Sequence, residues 1–171
     1  MTTAEEDLIK EVLFNDNLNK LRIFEKIDYD KLINIMGMHL IIPSFYYNIS
    51  KKKITKKFPA DFVKYLKEIF SINRNRNKIL LNEIKFISQN LEKALIDHVF
   101  VKGSANLVFD IYDDIGERMV GDIDILVDDK FEIKTQYDFS FTKGVLIHIN
   151  PDQLENTYKK IYESSKKYIL L

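Results

Sequence analysis

Apolar positions recur at helical spacing through the first half of the chain and alternate in much of the second. Leu8, Val12 and Leu13, set among Glu and Lys, predict an amphipathic helix over 5–14, broken by Asn15-Asp16-Asn17. Leu21 and Phe24 mark a second short helix over 18–27. Asp28 is a natural N-cap for a third, running through Leu32, Ile33, Ile35 and Met36, continuing or kinking at Gly37 and meeting Pro43. The aromatic stretch 44–49 is expected to be buried. Pro59 can open the next helix, whose stripe is Phe62, Leu66 and Ile69. Leu80, Ile84, Ile87, Leu91 and Leu95 continue at spacings of four, three, four and four. Between them Asn73-Arg74-Asn75-Arg76-Asn77 reads as a break or as an exposed turn of one long helix, because Asn is a poor helix former.

From Val99 the pattern changes. Val99-Phe100-Val101 suits a buried strand, Lys102-Gly103-Ser104 interrupts it, and a helix-like segment follows from 105 to about 112. A polar turn, 113–117, leads to Gly121-Asp122-Ile123-Asp124-Ile125-Leu126-Val127. Residues 131–141 alternate, Thr142-Lys143-Gly144 turns, and 145–149 alternate again, which predicts a β-hairpin. Asn150-Pro151-Asp152 then offers a cap, a first-position proline and an early acid for a last helix through Leu154, Tyr158, Ile161 and Tyr162.

Composition bounds this picture. At 171 residues, 46% hydrophobic and 12% aromatic, the chain can build a sizeable core. It has no cysteine, so disulfides and thiolate metal sites are excluded, and no clustered histidine, so a zinc site is not expected. His39 and His98 are expected to be structural, and His148 packed or exposed. The acidic N-terminus lacks a signal-peptide core and no apolar run approaches a membrane span, so the expectation is a soluble, cytoplasmic protein. Net charge is zero but uneven: residues 1–100 hold 17 Lys+Arg against 13 Asp+Glu, and residues 101–171 hold 9 against 13. Lys51-Lys52-Lys53 and Lys56-Lys57 read as a solvated connector, with phosphate-backbone contact the sharper alternative. A near-neutral protein lacks the basic footprint of a dedicated nucleic-acid binder, and no DNA partner is expected.

The chemistry concentrates in 99–127. In a strand, residues i and i+2 share a face about 6.6 Å apart. Asp122 and Asp124 would project together while Ile123, Ile125 and Val127 anchor the other face. Two parallel carboxylates repel unless a cation lies between them, and Mg²⁺ takes one or two carboxylates plus substrate phosphates. Gly103 lets backbone approach a ligand, and a serine with free N–H groups at a helix start favours phosphate. The bland alternatives are edge-strand aspartates, an ordinary capping turn, and, for Arg118, an ion pair with Asp113, Asp114 or Glu117.

Lys102-Gly103-Ser104-Ala105 followed by Arg118-Met119-Val120-Gly121-Asp122-Ile123-Asp124-Ile125-Leu126-Val127 resembles the uncharacterised bacterial nucleotidyltransferase family, within the fold of polymerase-beta-like enzymes. The resemblance covers residues 30–128. It implies an α/β (α+β) protein: a small mixed sheet with a helical subdomain over 1–97 and a catalytic core over 98–171. It implies two Mg²⁺ ions on Asp122 and Asp124, a nucleoside triphosphate gripped by Gly103 and Ser104, and Lys102 and Arg118 neutralising its charge. The reaction would move a nucleoside monophosphate to an unknown acceptor: a protein, a small molecule or RNA. The fold also draws a third carboxylate from a later strand. Asp138 in Tyr137-Asp138-Phe139-Ser140-Phe141 is the favoured position. A second register, Leu146-Ile147-His148, supplies the expected His but no acid. In a third arrangement 129–149 is an inserted hairpin, 151–168 is the family's next helix, and the chain ends before the third strand. The alternatives to catalysis are a degenerate member that binds nucleotide or a partner without turnover, and a helical interaction protein whose Asp-x-Asp is incidental.

Overall fold

The computed structural model describes residues 2–15, 27–127, 136–141 and 150–170. The chain forms two compact units, Met1–Val127 and Asp128–Leu171. The line expected between 97 and 98 falls inside the first of them.

The first unit begins with three short helices whose starts are locally encoded. Thr3 and Glu6 cap α1 (Ala4–Phe14) reciprocally: the Thr3 hydroxyl accepts from the Glu6 N–H and the Glu6 carboxylate from the Thr3 N–H. The Asp28 carboxylate accepts from the N–H groups of Asp30 and Lys31 to start α2 (Tyr29–Met38). Pro43 lies in the first turn of α3 (Ile42–Lys51). The helix expected over 18–27 falls almost wholly outside the described residues. Gly37 does not kink α2, which runs on to Met38. The chain reverses instead at Leu40, which takes φ 56° in a closure where Ile41 N–H bonds to Met36 O and Leu40 N–H to Gly37 O. Lys53 and Leu95 close α3 and α4 in the same way, again without glycine.

After a short 3₁₀ turn (Thr55–Lys57), α4 spans Ala60–Lys93 without a break. Its first half packs on α3, and α1 to α4 share one core of Leu8, Val12, Leu32, Met36, Phe45, Ile49, Phe62 and Leu66. The rings of Tyr29 and Phe62 meet at 4.8 Å, and Phe45 stands edge-on to Phe58 at 5.8 Å. Lys51 and Lys52 belong to the fold. Lys51 pairs with Asp113, and the Lys52 ammonium donates to Val12 O and Asn15 O at the C-terminus of α1, where a cation is favoured.

The second half of α4 supports a smaller core of Ile84, Leu107 and Val120, with Leu80, Phe100, Ile115 and Ile123 against it. Here β1 (His98–Phe100) pairs antiparallel with β2 (Ile125–Val127), Val99 opposite Leu126, and α5 (Lys102–Val108) connects outward from β1. Several expectations change. The strand is not buried, since Val99 is 52% exposed, and Leu95 lies past the helix end at 93% exposed. α5 starts three residues earlier than expected and ends four earlier. Asn73 and Asn77 are buried rather than an exposed turn.

In the second unit, α6 (Pro151–Glu163) starts as expected: the Asn150 side chain accepts from Asp152 N–H and Pro151 stands in the first turn. It stops at Glu163, past the expected stripe that ends at Tyr162, and Ser165–Leu170 is a strand, β4, where the third arrangement has helix to 168. β3 (Tyr137–Phe141) pairs with β4 in parallel, and α6 lies against both strands as the crossover. The expected hairpin partner of β3 at 145–149 lies outside the described residues. The whole is an α+β protein, rich in helix and carrying a small antiparallel sheet in its first unit.

Candidate active site

The junction of β1, α5 and the segment before β2 brings together most of the residues singled out from the sequence. Val101 N–H donates to Asp124 O at 3.1 Å, continuing the β1–β2 pairing by one rung. Asp122 and Asp124 therefore sit just ahead of β2 (Ile125–Val127), not within it. Asp122 is exposed, and the Asp124 side chain is 22% exposed. Ile123 does face the core as the alternation implied, whereas Val127 is 45% exposed and does not anchor the strand.

Lys102 opens α5 with φ 54°, a left-handed conformation uncommon for a residue with a β-carbon. Its ammonium lies 2.8 Å from Asp124 Oδ1, and the carboxylate holds the Lys102 pKa above its usual value. Gly103 is needed for close approach. A β-carbon there would stand 3.0 Å from a Val120 methyl, tighter than ordinary contact. By contrast a β-carbon on Gly121 would meet nothing within 4 Å.

Ser104 has the clearest geometry, and it points inward. The residue is fully buried; its hydroxyl accepts from Asp124 N–H at 2.8 Å and lies 3.4 Å from Asp122 O, which it faces as donor. The hydroxyl expected to meet phosphate instead ties the backbone of both aspartates to α5. A serine suits this, since one small group supplies acceptor and donor together.

Arg118 is exposed, with its guanidinium 3.4 Å from the Tyr112 hydroxyl. Two of its alternative partners are otherwise engaged: Asp113 with Lys51 and Tyr47, and Asp114 with Arg74 at 3.0 Å. Glu117 is half-buried, and burial raises its pKa, with neighbouring Asp113 adding to the effect. Asp138 belongs to the second unit, where its exposed carboxylate pairs with Lys167 at 3.2 Å. Leu146 and His148, the competing register, lie outside the described residues.

The turn carrying Arg118 is held by two asparagines of the stretch expected to be a break or an exposed turn. The Asn73 amide donates to Gly116 O at 2.8 Å and Arg118 O at 2.9 Å. The Asn77 amide donates to Ile115 O at 2.6 Å and Arg118 O at 2.7 Å. Gly116 is pressed on α4 so closely that a β-carbon would come within 2.8 Å of Arg74 Cβ. One signal was available. Residues 73, 77, 80 and 84 continue the apolar stripe at helical spacing, so two asparagines on it had to be buried and bonded.

A family model described as uncharacterised nucleotidyltransferase matches residues 25–134. The chain belongs to that family. No curated protein and no solved structure matches it. Membership brings nucleotidyl transfer as the general function and the α+β architecture seen here. The matched span contains Lys102, Gly103, Ser104, Arg118, Asp122 and Asp124; Asp138 lies beyond it.

As a donor set, Asp122 and Asp124 fit a hard cation that takes two carboxylates and completes its shell from substrate. Among the described residues no group of three or more His, Cys, Asp or Glu gathers as a metal site. No described helix is long and apolar enough to cross a membrane. A cavity of about 290 Å³ in the first unit is lined by Leu81, Ile84, Ser88, His98, Phe100 and Phe109 among others. It holds none of the residues that carry the candidate chemistry. The His98 ring nitrogens there lie 2.8 Å from Ser88 Oγ and 3.1 Å from Ile96 O.

Proposed function

We propose that this family member binds a nucleoside triphosphate with Mg²⁺ at Asp122 and Asp124 and transfers the nucleoside monophosphate to an acceptor hydroxyl. The observation that carries the reading is the Ser104 tie. It fixes the Asp122–Asp124 backbone against the turn that bears Lys102 and Gly103, so two carboxylates and a cation share one small region.

Mg²⁺, when bound, supplies charge neutralisation for the entering and leaving oxygens. The chain's own part is binding and orientation. The Lys102 ammonium and the Arg118 guanidinium neutralise the phosphate chain, and with the Ser104 hydroxyl turned inward, the Gly103 turn meets the phosphates through its backbone. An acceptor oxygen bonds to the α-phosphorus, the bond from that phosphorus to the bridging oxygen breaks, pyrophosphate leaves and the hydroxyl proton passes to a base. The base proposed from sequence order is Asp138. The acceptor class stays open among protein, small molecule and RNA.

The test is thermal unfolding with each of the four nucleoside triphosphates, with and without Mg²⁺, on wild type and Asp122→Asn. A ligand at about a hundred times its Kd stabilises by roughly 2.7 kcal/mol, a melting shift of about 5–10 °C for a domain of this size. The shift should need both Mg²⁺ and Asp122; equal affinity in Asp122→Asn would refute the assignment. Asp138→Asn should spare binding and stop transfer of an α-labelled nucleotide.

Within the described residues of the first unit no third carboxylate joins Asp122 and Asp124, which supports a second reading, nucleotide binding without turnover. It expects the Mg²⁺-dependent shift with no transfer to any acceptor.

A further inference from the structure

Helix α4 lies against the candidate site along one side. Asn73, Arg76 and Asn77 stand at i, i+3 and i+4, so all three face the same neighbour. The two asparagines are 3% and 0% exposed, and between them they hold the Ile115, Gly116 and Arg118 carbonyls of the segment that leads to Asp122. Arg74 adds its pair with Asp114, and Gly116 its close approach to Phe70 and Arg74. The register between α4 and the 114–121 segment is thus set by buried bonds, and it places Arg76 at the Gly121 carbonyl, 2.9 Å from its guanidinium.

That guanidinium differs from three other cations of the first unit. Lys51, Arg74 and Lys102 each pair with a carboxylate, on Asp113, Asp114 and Asp124. Arg76 is exposed and has no carboxylate partner among the described residues; its bond is to a backbone carbonyl. A guanidinium carries five N–H donors in a planar fork, so most remain for another acceptor, and the fork matches phosphate oxygens. The space in front of Gly121 is open, since a β-carbon there would touch nothing. The next residue is Asp122.

We propose that Arg76 is a further substrate-binding residue, receiving the phosphate chain of the nucleotide held at Asp122 and Asp124. The proposal rests on the nucleotide-site reading above and adds to it a wall supplied by the helical half of the first unit. Arg76 ranks beside Lys102 and Arg118 as a cation for the phosphates. The Gly121 bond orients it, and the absence of a side chain on Gly121 leaves the approach clear.

The experiment is titration of wild type, Arg76→Gln, Arg76→Lys and Asp124→Asn with inorganic tripolyphosphate and with nucleoside tri- and monophosphates, all with Mg²⁺. Gln keeps an amide donor for the Gly121 carbonyl, so the ligand-free melting temperature should stay near wild type. Arg76→Gln should lose about tenfold in affinity for triphosphate and tripolyphosphate, the effect of one charge-assisted bond, with little change for monophosphate. Arg76→Lys should recover part of the loss. Wild-type triphosphate affinity in Arg76→Gln, with affinity lost in Asp124→Asn, would overturn this proposal and leave the nucleotide site standing. An equal loss for tri- and monophosphate, or for Gln and Lys, would overturn it in favour of a structural role. No binding by wild type would overturn both.

Discussion

The two buried asparagines of α4 make a quantitative prediction because they share an acceptor. Asn77→Ala removes the donor to Ile115 O, but Arg118 O keeps its bond from Asn73. Asn73→Ala removes the donor to Gly116 O, and Arg118 O keeps its bond from Asn77. Each single change therefore strands one carbonyl outright, at about 1–3 kcal/mol for a buried unsatisfied group. Each also removes an amide oxygen that is buried without a partner, Oδ1 in both residues, which offsets part of that loss. The expected net is about 1–2 kcal/mol per single variant, or a fall in Tm of roughly 2–8 °C. The double variant strands Arg118 O as well, so its loss should exceed the sum of the singles by at least about 0.5–1 kcal/mol, within the usual range of coupling between neighbours. The chain has no tryptophan, so urea unfolding followed by helical circular dichroism is the suitable assay. Strict additivity, or a double variant no worse than the worse single, would refute the shared-acceptor argument.

Three other predictions follow from local geometry. Gly103→Ala should lower stability by about 1–3 kcal/mol through overpacking on Val120, while Gly121→Ala, with open space before it, should leave the melting temperature unchanged. Lys31 and backbone bonds hold the Glu5 carboxyl at about 2, below its ordinary 4.5. A lowered folded-state pKa contributes stability that is present above 4.5 and lost as pH falls toward 2, so Glu5→Gln should flatten the melting-temperature profile in that window and leave its slope near neutral pH alone. Lys53 is an exposed residue at φ 56° closing α3; Lys53→Gly should stabilise by about 1 kcal/mol because glycine takes that conformation without penalty, and an unchanged or lower Tm would show the strain to be absent.

The helix starts and the apolar stripes were legible in the sequence because the forces behind them are local. Asp28, Pro59 and Asn150 act within one turn, and Leu8, Val12, Phe62, Leu66 and Ile84 each lie on a face set by the helical period. The Lys102–Ala105 and Arg118–Val127 motifs were legible too, since a short turn and a short strand carry them, and they led to the family that residues 25–134 belong to. Helix ends were harder. The chain closes α2, α3 and α4 on Leu40, Lys53 and Leu95, with no glycine to announce the reversal, because hydrogen bonds at each end hold the left-handed residue. Strand pairing was harder still. β3 pairs in parallel with β4, 25 or more residues away, and alternation within β3 says which faces exist but not which strand lies alongside.

The site divides in the same way. That Asp122, Asp124, Lys102 and Gly103 belong together could be read from residue types in order. That Ser104 turns inward to hold the aspartates, that Asn73 and Asn77 are clamps rather than a break, and that Arg76 stands at Gly121 were decided only by tertiary structure. Each of those depends on contacts between residues 18–45 positions apart. The sequence determined which groups this protein carries and the helices that present them. The packing of α4 against the 114–121 turn decided which groups are buried as supports and which stay exposed, because burial and hydrogen-bond satisfaction belong to the folded neighbourhood and not to the chain.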